Sequence, residues 1–162
     1  MLVRDQAQPV GAPDVHPGLR PTERRSIANP AWKGSYHMRV RLSKTFRFEA
    51  AHDLPTFPPG HKCRRLHGHS FVFDVIVEGV VDESLGYLID YADIKAAVAP
   101  LVDQLDHHYL NEIDGLAIPT SEVLSRWIYQ QVKPKLPLLA AVIVHETCTS
   151  TCEYRGDGDP RS

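Results

Sequence analysis

Apolar side chains between Val40 and His52 keep to even positions: Val40, Leu42, Phe46, Phe48, Ala50 and then His52 itself. The odd positions between them are mostly polar or charged, which predicts a half-buried strand carrying His52 on the phenylalanine side. Residues 53–65 contain Pro55, Pro58, Pro59 and Gly60 and read as a loop. Alternation resumes on odd positions with His67, His69, Phe71, Phe73, Val75 and Val77, a second strand. The period then changes. Ile94, Val98, Leu101 and Leu105 fall on one face of a helix that starts near Tyr91 and is capped by Asp90. Thr120 caps a second helix through Val123, Leu124, Trp127 and Ile128, with Glu122 in its first turn and Pro134 as its stop. Residues 138–145 are apolar enough for a buried strand, with Glu146 directly after it, and residues 152–155 suit a short return strand.

Two strands, two helices and two strands in that order predict an α+β domain with an antiparallel sheet covered by two helices. Such a sheet keeps exposed edges, so lateral self-association between subunits is expected. Residues 1–37 are different in kind. Pro9, Pro13, Pro17, Pro21 and Pro30 recur there without any apolar period, and the segment is expected to be a disordered extension. The folded domain is placed at 38–156, with 157–162 as a tail.

Length and charge narrow the function classes. A chain of 162 residues allows one domain with a sizeable core. A formal charge of −2 and a pI near 6.5 leave no broad basic face for nucleic acid or a membrane surface. No apolar run suggests a membrane span or a signal peptide, so a cytoplasmic protein is expected. Cys63, Cys148 and Cys152 are few and odd in number, which fits reduced thiols.

The chemistry is concentrated in Cys63-Arg-Arg-Leu-His67-Gly-His69. His67 and His69, two apart on a strand, leave the same face roughly 6.6 Å apart at Cα, close enough to share one ion. His52, from the inward face of the preceding strand, supplies a third imidazole if the strands are neighbours. Three imidazoles suit zinc first and keep a coordination position open for chemistry. His61 competes as a ligand from the loop. Cys63 offers a second alternative, closing the site as a structural Cys-His₃ centre. A further cluster, Asp106-His107-His108, follows the first helix and matters only if it folds near the metal. Glu146 is either a solvent residue at a strand end or a buried acceptor for a ligand's N–H groups.

Six motifs in order tie these residues together: F-x-A-A-H at 48–52, C-x-x-x-H-G-H at 63–69, G-x-x-x-D-x-x-x-I-K at 86–95, L-D-H-H-x-L-N at 105–111, P-T-S-E at 119–122 and E-T-C-T at 146–149. Across residues 40–156 the chain resembles the 6-pyruvoyltetrahydropterin synthase family, and within it the carboxytetrahydropterin-forming branch of queuosine (7-deazaguanine) biosynthesis. The resemblance implies a T-fold, a four-stranded antiparallel sheet with two helices packed on one face. It also implies homohexamers, built as two trimers, with active sites between subunits. The implied reaction is a zinc-dependent lyase step on 7,8-dihydroneopterin triphosphate, giving 6-carboxy-5,6,7,8-tetrahydropterin, acetaldehyde and triphosphate. The implied ligands are His52, His67 and His69. Cys63 is implied as the proton-abstracting base, which requires its thiolate form. Asp106 and His107 are implied as a paired acid and base, and Glu146 as the pterin anchor and a member of the proton relay. Only Arg64, Arg65 and Leu66 separate Cys63 from His67; the pyruvoyl-forming branch has a longer gap. Lys62, Arg64 and Arg65 are candidates for the triphosphate by charge and position.

Overall fold

A computed structural model describes residues 37–147 and 149–158. The expected disorder of the N-terminal extension, the state of Cys148 and the last four residues of the tail lie outside the described residues. The elements are β1 (Arg39–His52), β2 (His67–Val80), α1 (Tyr91–Leu105), β3 (His108–Tyr109), α2 (Ser121–Val132), β4 (Leu139–Thr147) and β5 (Ser150–Tyr154). They form one sheet of order β3-β1-β2-β4-β5 with two helices, an α+β T-fold architecture.

The register of the β1–β2 hairpin follows from its apolar faces. Phe46 pairs with Phe73, Phe48 with Phe71, Ala50 with His69 and His52 with His67. A slip by one residue would turn every one of these side chains to the opposite face. The facing rings stack, Phe48 on Phe71 at 5.0 Å and Phe46 on Phe73 at 5.4 Å between centroids. Ile94, Val98, Leu101 and Leu105 of α1 and Leu124, Trp127, Ile128 and Val132 of α2 close over the same face in one core. Each such side chain contributes about 1.5–3 kcal/mol by leaving water. The caps are those expected. The Asp90 carboxylate accepts from Ala92 N, and the Thr120 hydroxyl accepts from Val123 N.

Three details differ from the pattern-based reading. The sheet has five strands rather than four, because two residues after α1 pair in parallel with Ala50 and Ala51 of β1. A two-residue strand has no alternation to read, and this one forms because the preceding residues dock on β1. Strand β4 runs on to Thr147, so Glu146 lies inside it, and β5 begins at Ser150 rather than at residue 152. The pairing of β4 with β5 shifts register between His145 and Thr147, a bulge at Glu146. Finally, the loop 53–65 holds a short 3₁₀ turn at Lys62–Arg64.

Candidate metal centre and active site

Strand pairing puts His52 at the end of β1 directly opposite His67 at the start of β2, with His69 one position along the same face. A ligand atom from each of the three lies within 4.8 Å of the others, so the group can hold a metal ion. Two observations fit that use. His52 Nδ1 lies 3.0 Å from the carbonyl oxygen of Pro119, and His67 Nδ1 lies 2.6 Å from that of Arg65. A carbonyl only accepts, so Nδ1 carries the proton in both rings and Nε2 keeps its lone pair. The buried Nε2 atoms of His52 and His69 also have no hydrogen-bond partner among the described residues. Unpaired buried nitrogens of this kind are costly unless something else satisfies them. A backbone acceptor behind each ligand is how metal-binding imidazoles are usually oriented.

Burial is the main reason the His52 imidazole is held below its ordinary pKa, with the His67 and His69 rings adding to it. The Pro119 carbonyl and Glu146 pull the other way. Burial likewise lowers His69, helped by His67 and opposed by Glu146. Neutral imidazoles are the form that binds metal. Cys63 and His61 stand outside the three-histidine group. The His61 ring is engaged elsewhere, its Nδ1 accepting the amide N–H of Cys63 at 3.2 Å.

Cys63 is half-buried on the 3₁₀ turn and opens on a cleft of about 490 Å³. His67, His69, Glu146, Lys62 and Arg65 line the same cleft. Glu146 stands at the β4 bulge, where it borders this cleft and also another beside Ser70, Val72 and Asp74 on the other face of β2. Arg64 turns away: its guanidinium donates to the Phe57 carbonyl at 2.9 Å and braces the loop.

Asp106 and His107 sit across the sheet from Glu146, on the outer edge of β1. Asp106 Oδ1 accepts from Glu49 N at 2.8 Å, and His107 N donates to Glu49 O at 2.6 Å. The dyad thus occupies both backbone groups of one β1 residue. Asp106 Oδ2 lies 2.8 Å from His107 Nδ1, so that nitrogen donates and Nε2 faces outward. The Glu49 amide, and then His107, keep the Asp106 carboxyl below its ordinary range. His107 has φ = 59°. A residue with a β-carbon pays about 1–2 kcal/mol for that left-handed conformation. His107 lines a second cleft of about 500 Å³ that shares His69 with the first. One chain therefore gathers Cys63, His67, His69 and Glu146 in one cleft and places His107, held by Asp106, in its neighbour.

Pattern reading missed the parts that hold these groups. The Pro119 carbonyl behind His52 precedes the capping Thr120, and only the P-T-S-E motif marked it. Asn111 ties the chain after His52 to the loop before α2. Its side-chain oxygen accepts from Asp53 N at 3.0 Å, and its amide donates to Asp53 O at 2.9 Å and Ala117 O at 3.2 Å. Tyr109 O–H donates to the Asp53 carboxylate. Cys152 is a half-buried free thiol 3.5 Å from the Ser125 hydroxyl, away from the clefts.

The family model for 6-pyruvoyl tetrahydropterin synthase matches residues 41–157. The chain is 44% identical over 119 residues to 6-carboxy-5,6,7,8-tetrahydropterin synthase of Synechocystis, covering 70% of this chain and 91% of that protein. It is 34% identical over 100 residues to dihydroneopterin monophosphate aldolase of Pyrococcus furiosus, covering 62% and 81%. Its fold is similar to that of 6-pyruvoyl tetrahydropterin synthase of Caenorhabditis elegans, with a TM-score of 0.69 and 25% identity, covering 76% of this chain and all of that one.

Proposed function

The chain belongs to the 6-pyruvoyl tetrahydropterin synthase family, and from that premise we propose that it is its zinc-dependent carboxy-forming lyase, 6-carboxy-5,6,7,8-tetrahydropterin synthase. The substrate is 7,8-dihydroneopterin triphosphate. With one water consumed, the products are 6-carboxy-5,6,7,8-tetrahydropterin, acetaldehyde and triphosphate, and the step belongs to queuosine biosynthesis. One observation carries the reading: the half-buried Cys63 thiol shares its cleft with His67, His69 and Glu146, and only three residues separate it from His67.

His52, His67 and His69 would hold the zinc, His52 and His67 through the Nε2 atoms that their bonds to Pro119 and Arg65 leave free. Bound there, zinc supplies Lewis acidity and a template for the hydroxyls of the substrate side chain. Cys63, as thiolate, takes a proton from the side-chain carbon that faces it. Glu146 accepts N–H groups of the aminopyrimidinone edge, which fixes the pterin ring in the cleft and orients its side chain toward the thiol. Lys62 and Arg65 line the mouth of the cleft and neutralise the triphosphate, while Arg64 serves the loop.

Asp106 holds the His107 ring by Nδ1 and leaves Nε2 to give or take a proton. Because the dyad opens on the adjoining cleft, a neighbouring subunit completes each site, and the working unit is a homo-oligomer, a hexamer in this reading. Incubating the zinc-loaded protein with 7,8-dihydroneopterin triphosphate tests the proposal. Acetaldehyde and the 6-carboxy product in equal amounts are expected. A 6-pyruvoyl product with triphosphate and no acetaldehyde would assign the chain to the pyruvoyl-forming branch instead.

A further inference from the structure

We infer that His61 is a positioning residue for Cys63, holding the cysteine's amide with its ring nitrogen while a stack on Phe57 fixes the ring. The inference rests on the reading of Cys63 as the proton-abstracting base. The 53–65 loop belongs to no strand, so the thiol's position depends on bonds made within the loop. Both backbone groups of Cys63 are used. Its N–H donates to His61 Nδ1 at 3.2 Å, and its carbonyl accepts from Leu54 N at 2.9 Å. Leu54 is buried and stands two residues beyond His52. The thiol is therefore tied through the backbone to the strand end that carries a metal-site histidine.

His61 caps the 3₁₀ turn of Lys62–Arg64, a place usually taken by Ser, Thr, Asp or Asn. A histidine does what those shorter side chains cannot. Its ring lies on Phe57 with centroids 4.2 Å apart and planes at 15°. Phe57 is anchored in turn, its N–H donating to Leu54 O at 3.2 Å and its carbonyl accepting from Arg64. The result is a braced unit, Leu54–Phe57–His61–Cys63, in a loop that sequence composition alone marks as irregular. With Nδ1 accepting an N–H, the ring proton is on Nε2. His61 acts on the reaction through Cys63, by limiting how far the thiol strays from its working geometry.

Two substitutions separate the acceptor from the bulk of the ring. His61→Asn keeps a side-chain oxygen able to accept the N–H two residues on. His61→Phe keeps a ring for the stack and loses the acceptor. The readouts are steady-state turnover of 7,8-dihydroneopterin triphosphate, zinc content, and hydrogen exchange of the Cys63 amide in the zinc-loaded protein. His61→Phe is expected to lower kcat by about tenfold or more, with KM and zinc content little changed. Its Cys63 amide should exchange faster than in the native protein. His61→Asn should recover most of both losses, and His61→Leu replaces the Phe variant if that one does not fold. Native kcat in the Phe variant, or equal losses in the Asn and Phe variants, would overturn the inference. Cys63→Ala is the control for the premise. If it retains turnover, the thiol is not the base and the catalytic consequence of His61 goes with it. Amide exchange still decides whether His61 holds the loop.

Discussion

His52 Nδ1 and the carbonyl oxygen of Pro119, 3.0 Å apart, join the end of β1 to the residue that precedes the cap of α2. Sixty-seven residues separate the two in sequence. The bond fixes the tautomer and tilt of an imidazole whose other nitrogen is buried without a partner among the described residues. The metal-site face is thus set by the start of α2 as well as by the β1–β2 register. An ion in this place would fasten the ends of two strands and, through Pro119, a helix.

Removing the metal should therefore loosen the fold. An ion bound to the native state at a thousandfold excess over Kd adds about 4 kcal/mol. For a domain of this size that is roughly ten degrees of melting temperature. Dialysis against a strong chelator is expected to lower Tm by that order, and added zinc to restore it. His52→Ala should lower zinc content and no longer respond to zinc. An unchanged Tm after verified zinc removal would show that the ion does not fasten these elements in the folded state.

The pH dependence of the metal-free protein has a definite sign. Burial holds both His52 and His69 below their ordinary value in the folded state. The unfolded chain begins to take up protons on these residues near pH 6.5, where the folded chain does not. Stability from this source is complete above that pH and declines as pH falls toward the folded values. Chelated protein scanned from pH 8 to pH 5 should show Tm falling below about 6.5. His69→Asn, which removes one of the titrating groups, should flatten the fall. A Tm that rises on acidification over this window would contradict the burial of these rings.

Much of this was legible in the sequence, for a physical reason. Strand period is two, so His52, His67 and His69 declared their shared face through the phenylalanines and valines that alternate with them. The caps Asp90 and Thr120 acted locally and were equally visible. Glu146 was harder, because the apolar run ended at His145 and a bulge carried the strand past it. The two-residue strand β3 could not be read, since it exists only where Asp106 and His107 grip Glu49 from fifty-seven residues away. Loop 53–65 read as irregular, which it is, but its brace of Phe57 on His61 depends on ring positions that have no sequence period.

Asp106→Asn tests the dyad without dismantling its mount. An asparagine still offers an oxygen to the Glu49 amide, so β1 and the segment after α1 should stay joined. Its NH₂ then faces His107 Nδ1, which must accept instead of donate, and the ring proton moves to Nε2. The nitrogen needed for proton exchange is left in the wrong state. A fall in kcat of about a hundredfold or more is expected, the scale of a lost acid–base group. Zinc content and Tm should change little. His107→Ala should likewise keep its zinc while losing turnover. Loss of zinc in either variant would place the dyad at the metal rather than beside it.

Phe71 is where the core meets the site. Its ring stacks on Phe48 at 5.0 Å and meets His52 at 5.5 Å and His69 at 5.4 Å edge-on. It is nearly inaccessible to solvent. Phe71→Ala should cost about 3–5 kcal/mol, through lost transfer energy and the cavity left behind. Phe71→Leu keeps most of the volume and should cost under about 1.5 kcal/mol. The two variants therefore separate fold from site. If the ring walls the histidines off from water, the Leu variant should still bind zinc about tenfold more weakly, as when a residue supporting the ligands is lost. Competition with a chromophoric chelator measures that affinity, and thermal melts of the same samples measure the fold. Equal zinc affinity in the native and Leu proteins would mean that backbone bonds to Pro119 and Arg65 suffice to set the imidazoles, and that Phe71 serves the core alone.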